Sequence, residues 1–371
     1  MLNSTRRDRF MKLTHIAWLY FILLLGPVVS SAQDTQEGNT IDPSGRVEPK
    51  VVTEKTPHDT DDPAIWINPE DPMKSLIVGT DKDQDGGLYV YDLQGRILQD
   101  KVVKPLARPN NVDIEYGLLL GGKPTDIAVA TERLTHKLRI FRLPDMAPVD
   151  NGGIEVFEGE TAEGYRDPMG IALYKRADGA IFAIVGRKTG PSGSYLWQYL
   201  LHDDGSGHVK ATLVRKFGIF SGNKEIEAIA VDDALGYVYY SDEGVGVRKY
   251  YADPVEGNEQ LALFATQGFT RDHEGISIYN ETADTGYILV SDQSASQFHI
   301  FPREGADGDP NNHPLLKVVK VSTVESDGSD VTSVPLGDMF PKGLFVAMSD
   351  DCTFQYYSWE DIISWEDTTR H

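Results

Sequence analysis

Short apolar runs that stop at a polar or charged cluster recur every fifty-odd residues along this chain. They read IVGTDK at 77–82, IAVATER at 127–133, AIVGRK at 183–188, VYYSDE at 238–243, ILVSDQ at 288–293 and FVAMSDD at 345–351. Ahead of each lies another short run: DDPAIWI at 61–67, NNVDIEY at 110–116, DPMGIALY at 167–174, EIEAIAV at 225–231, DHEGISIY at 272–279 and SDVTSV at 329–334. A third follows each cluster, from GLYVYDL at 87–93 to FQYYSW at 354–359. β-Branched and aromatic residues alternate or mix in these runs, and turns such as DLQG and HDDG end them, which predicts strands. The one helical stretch predicted is WEDIISWED at 359–367. Six such units at this period predict an all-β fold, a six-bladed β-propeller with a central channel. The early segment VEPKVVTEK at 47–55 is expected to pair with the last blade and close the ring, which removes free sheet edges.

The first 32 residues break this pattern. Arg6, Arg7, Arg9 and Lys12 precede an apolar run from Ile16 to Val29, and Ser30, Ser31 and Ala32 supply small residues for cleavage. That reads as a secretory signal peptide, with Met11 an alternative start. It implies an exported protein, periplasmic or extracellular, with no stable membrane association after cleavage. Residues 33–50 are polar and read as a flexible leader, and 51–371 form the propeller domain. Without the signal peptide the chain keeps 31 basic and 56 acidic side chains, a formal −25. Such a surface excludes nucleic acid and anionic membranes as partners and favours bound divalent cations. Cys352 is the only cysteine, so no intramolecular disulfide can form.

A propeller gathers equivalent strand ends at one mouth. Asp61, Asp62, Asn111, Glu227, Asp272 and Glu274 begin first strands, while Lys82, Arg133, Arg187, Glu243 and Gln293 end second strands. Any one of them alone is an ordinary turn residue. Together they place acids and bases around one axis, an arrangement that is costly unless ions or ligands pair them. Oxygen ligands at this density suit calcium better than zinc or magnesium. An acidic metal cluster flanked by lysine and arginine suits phosphate esters. His273, inside the DHEG element, is expected to point into its blade as a structural residue.

DDPAIW at 61–66, NNVDI at 110–114, Glu227 with YVYYSDE ending at Glu243, DHEG at 272–275, SDQ at 291–293 and PKGLFVA at 341–347 resemble the β-propeller phytases in order and spacing. The resemblance implies calcium-dependent hydrolysis of phytate, myo-inositol hexakisphosphate, by a calcium-bridged water. It implies that Asp61, Glu227, Glu243, Asp272 and Glu274 hold active-site calcium, that Lys82, Arg133 and Arg187 grip phosphates, and that Gln293 hydrogen-bonds nearby. Asp62 with the backbone of Pro63 and Val112 would form a structural calcium site, and Asp327 and Asp330 resemble a further acidic element. The substrate would be phytate or its calcium complex, taken by a monomer. The chain departs from the family where Asp83 follows Lys82, where Met169 replaces a tyrosine, and where Arg187 replaces a lysine. Two other readings use the same acids: a calcium-dependent lactonase-like hydrolase, which needs no ring of basic residues, and a non-catalytic propeller that binds a ligand.

Overall fold

The protein is described by a computed structural model covering residues 45–364. The expected signal peptide and most of the expected leader lie outside the described residues. Within them, six antiparallel sheets of four or five strands follow one another along the chain. The inner strands are Thr60–Trp66, Pro109–Leu120, Pro168–Lys175, Ile229–Asp232, His273–Asn280 and Ser329–Thr332, which open blades one to six. Each pairs with a second strand: Leu76–Asp81, Lys123–Glu132, Ile181–Arg187, Tyr237–Asp242, Gly286–Asp292 and Leu344–Ser349.

The sixth blade borrows its outer strand from the other end of the chain. Val51–Val52 lies antiparallel to Thr353–Ser358, with Val51 opposite Tyr356 and Val52 opposite Gln355. The chain joins the propeller ahead of Lys50, since Val47 is buried and bridged to Val321. The terminal helix is shorter than predicted, Trp359–Ile363. Trp359 stacks on Tyr279 with ring centroids 3.8 Å apart, tying the helix to blade five.

Two-residue alternation explains how the blades cohere. Successive side chains of a strand point to opposite faces, and here each face meets a different neighbour. In blade two, Ile127 and Val129 pack toward Ile171 and Ala183 of blade three, while Ala128 and Ala130 pack toward Ala64 and Val78 of blade one. Six apolar clusters of this kind fill the six gaps between blades. A fully buried Val, Ile or Leu contributes about 1.5–3 kcal/mol, so every blade is held by both neighbours.

The inner strands surround a channel cavity of about 120 Å³. Three half-buried aspartates stitch its wall. Asp62 accepts the Val112 N–H at 3.1 Å, Asp113 the Leu173 N–H at 2.7 Å and Asp330 the Ile65 N–H at 2.8 Å. Each carboxylate therefore reaches the inner strand of the next blade.

Candidate active site

The second strands end in a repeated two-residue device. Their last residues are Asp81, Glu132, Arg187, Asp242 and Asp292 in blades one to five, all buried. Four are carboxylates that accept a backbone N–H from the loop entering their own inner strand. Asp81 takes Asp59 at 2.8 Å, Glu132 takes Ala107 at 2.9 Å, and Asp242 and Asp292 take Ser221 and Thr270, each at 3.0 Å. Arg187 fills the same position with opposite polarity. It donates to the Tyr165 carbonyl at 3.2 Å and the Ser194 carbonyl at 2.7 Å, and it faces Glu160 at 3.3 Å. Its guanidinium lies over the rings of Phe157, Tyr165, Tyr195 and Trp197.

The following residue occupies the mouth. The backbone N–H groups of Lys82, Arg133, Lys188 and Glu243 donate to the carbonyls of Asp59, Arg108, Asp167 and Glu225, at 2.6, 3.0, 2.9 and 3.3 Å. This shared bond makes Lys188 the equivalent of Lys82 and Arg133. Arg187, expected to grip phosphate, stands one residue before that position. Its side chain is fully buried, and one step along a strand reverses the direction of a side chain. In blade three the residue at the mouth position is Lys188.

At the mouth the groups form one network. Lys82 Nζ bonds Asp61 and reaches Asp327 at 3.4 Å, while Gln293 Nε2 bonds Asp327. Asn110 Nδ2 bridges Asp61 at 3.3 Å and Glu227 at 2.8 Å. Glu225, Glu227 and Glu243 bring carboxylate oxygens within 4.8 Å of one another. Lys188 reaches Glu225 at 2.5 Å, and Lys224 pairs with Asp272. Glycine permits the close approach of blades three and four, because a Cβ on Gly170 would overlap the Glu227 carbonyl. Arg133 lies against the Met169 sulfur and has no carboxylate partner among the described residues.

Burial of like charges distorts the titration of this network. Desolvation lifts Asp61 to about 6 against the pull of Lys82, and lifts Glu227 to about 7 with help from Asp61. Glu243 rises to about 9 through burial and the nearby Glu225 and Glu227. Glu274 is pushed well above the carboxylate range by burial and by Glu243. Burial alone would lower the Lys82 ammonium, but Asp61, Glu227 and Asp327 outweigh it and raise it. The donor set suits a hard cation: carboxylates dominate, and the buried Glu243 Oε1 has no hydrogen-bond partner.

Several expected residues lie elsewhere. Asp62, Pro63, Val112 and Asp330 line the channel below the mouth, where Asp62 and Asp330 engage backbone N–H groups. His273 packs as expected, with Nε2 2.6 Å from the Ala265 carbonyl and its ring stacked on Phe269. Sequence reasoning missed Lys188, Lys224, Glu225 and Asn110. For Lys188 the motif itself held the signal, since Lys188 has the same place after its strand as Lys82.

Fold and mouth define a β-propeller hydrolase whose carboxylates and ammonium groups converge on the channel opening. The chain matches the family described as Phytase over residues 13–371, and it belongs to that family. It is 30% identical over 326 residues to the 3-phytase of Bacillus subtilis strain 168, an alignment covering 84% of this chain and 80% of that protein. The protein is thus an enzyme that hydrolyses phosphoric monoesters. Solved structures similar to it include the WD40 β-propeller domain of Doa1, with a TM-score of 0.46, 11% identity, and coverage of 84% of this chain and 96% of that one. A second, BBS1N in complex with ARL6DN, has a TM-score of 0.45 and 11% identity, covering 79% and 77%. Both are too distant to bear on function.

Proposed function

We propose that this exported phytase hydrolyses phytate to lower inositol phosphates and phosphate at the propeller mouth, with calcium bound there. The observation that carries the reading is the mouth network, in which seven carboxylates, Asp61, Glu225, Glu227, Glu243, Asp272, Glu274 and Asp327, are interleaved with Lys82, Arg133, Lys188 and Lys224. Phytate is a dense polyanion, and acids that repel one another this strongly can receive it only through cations. Asp61, Glu227, Glu243, Asp272, Glu274 and Asp327 would hold calcium. When bound, calcium neutralises phosphate oxygens and lowers the pKa of water for attack on phosphorus. The protein residues supply position and charge. Arg133, free of any acid partner among the described residues, presents its guanidinium to a phosphate for bidentate contact. Gln293 and Lys82 orient Asp327 and Asp61 at the opposite side.

Membership of the phytase family sets aside the lactonase-like and non-catalytic alternatives. A monomer suffices, because every blade finds both neighbours within one chain. The test is phosphate release from phytate, with calcium titrated back after exhaustive chelation. Calcium-restored release that falls about a hundred- to a thousandfold in Glu227→Gln supports the reading, on the scale of lost transition-state charge stabilisation. Full activity in excess chelator would overturn it.

A further inference from the structure

Three carboxylates from two segments of blade four converge at the mouth: Glu225, Glu227 and Glu243. Glu225 and Glu227 lie on the loop that enters the inner strand, and the Glu243 N–H donates to the Glu225 carbonyl at 3.3 Å, fastening the segments together. An acidic cluster by itself is no site. Here a second observation points to a ligand, since Glu243 is 3% exposed and its Oε1 has no hydrogen-bond partner. Among the described residues, the ammonium group in ion-pair contact with the trio is that of Lys188, 2.5 Å from Glu225 with its side chain 46% exposed. Lys188 is also the mouth residue of blade three, fixed by the same backbone bond as Lys82 and Arg133.

We infer that Glu225 is a cation ligand together with Glu227 and Glu243, and that Lys188 is an exchangeable counter-ion which the cation displaces from Glu225 and hands over to the substrate phosphate. The inference rests on the reading of the mouth as a calcium-assisted phosphate site. Its physical basis is a difference in charge density. An ion pair exposed to this degree holds its ammonium weakly, whereas a divalent ion meets three carboxylates at once. A lysine that leaves Glu225 keeps its anchored backbone and a flexible stem, so it can turn to a phosphate without moving the strand. Cation and phosphate binding are then coupled through one side chain, and the coupling is reciprocal.

The test is calorimetric titration of calcium into the full chain without substrate, in the presence and absence of saturating inorganic phosphate. In the wild type, phosphate should tighten calcium binding roughly tenfold, a common size for coupling between sites. Glu225→Gln should weaken calcium binding at one site by roughly tenfold, the effect of a lost partner ligand or support. Lys188→Met should tighten calcium binding without phosphate and shrink the tightening by phosphate to the part that direct calcium–phosphate attraction supplies. Mere removal of a positive charge would leave that coupling in place, because calcium and phosphate attract each other wherever the lysine is. Unchanged calcium affinity in Glu225→Gln, or a coupling undiminished in Lys188→Met, overturns the inference. Thermal melts of both variants establish that they fold. If phytate proves not to be hydrolysed while these affinities move as stated, the substrate reading fails and the exchange stands. If calcium-dependent phytate hydrolysis is found with unmoved affinities, the substrate reading stands and the exchange fails.

Discussion

Two rings of side chains, one residue apart in sequence, share the upper end of this propeller and behave as different materials. The lower ring, Asp81, Glu132, Arg187, Asp242 and Asp292, is buried and bonded to the loops that lead into the inner strands. The upper ring, Lys82, Arg133, Lys188, Glu243 and Gln293, turns to the mouth instead: Lys82, Lys188 and Gln293 bond its acids, and Glu243 Oε1 and Arg133 Nε are buried without hydrogen-bond partners. The lower ring spends its polar groups on the loops of the fold, with Asp81 Oδ2 and Arg187 Nε left over, and stabilises the fold. The upper ring carries unspent interactions, which is where a ligand can bind. A single step of strand parity separates structure from chemistry.

The sharpest way to break this comparison is to exchange one member of each ring in blade four. Asp242→Ala strands the buried Arg248 guanidinium, whose Nη2 lies 2.7 Å from the Asp242 carboxylate, and should cost about 3–5 kcal/mol of stability in denaturant unfolding. Glu243→Gln should leave unfolding nearly unchanged in chelator while removing calcium-dependent turnover. Equal destabilisation by the two would erase the distinction. In blade three, Arg187→Met should likewise lower stability, by about 3 kcal/mol, because Glu160 and two carbonyls lose their buried partner. An Arg187→Met variant that kept its melting temperature and lost only affinity for phosphate would restore that residue to the mouth.

A smaller effect lies in pH. Glu227 titrates near 7 and Glu243 near 9 in the folded chain, above their ordinary 4.5. The folded state therefore holds more protons than the unfolded one between those limits, and stability falls as pH rises through them. The melting temperature of chelator-treated protein should decline from pH 6 to pH 9, and calcium should flatten the decline. A rise with pH would contradict the buried, unpaired state of the mouth acids. The smallest expected change is Met169→Leu, which keeps the apolar wall beside Arg133 and should alter KM by no more than about twofold, in line with a volume-conserving swap.

The repeat was legible because alternation and turn chemistry mark every blade, and even the closing strand stood out as a β-branched run outside the six units. The site was half legible. Acids and bases at strand ends announced a mouth, yet charge alone could not choose between Arg187 and Lys188. Only the pairing register, with Pro168 opposite Arg187 as Pro109 is opposite Glu132, shows which residue belongs to which ring. Lys224 and Glu225 were hidden for another reason. They lie on a loop outside the strands, where no periodicity operates, and only contacts across blades reveal them.

The pairing of Val51 with Tyr356 has a consequence for how the molecule is made. The two partners stand 305 positions apart, so bringing them together costs about 5 kcal/mol of chain entropy beyond a constant term. That cost is recovered only when the sixth sheet is otherwise complete. During synthesis the strand made first must wait for almost the last one, leaving an unsealed ring in the meantime. Loss of residues near either partner would open the same seam, like a bracelet whose clasp has a half on each end.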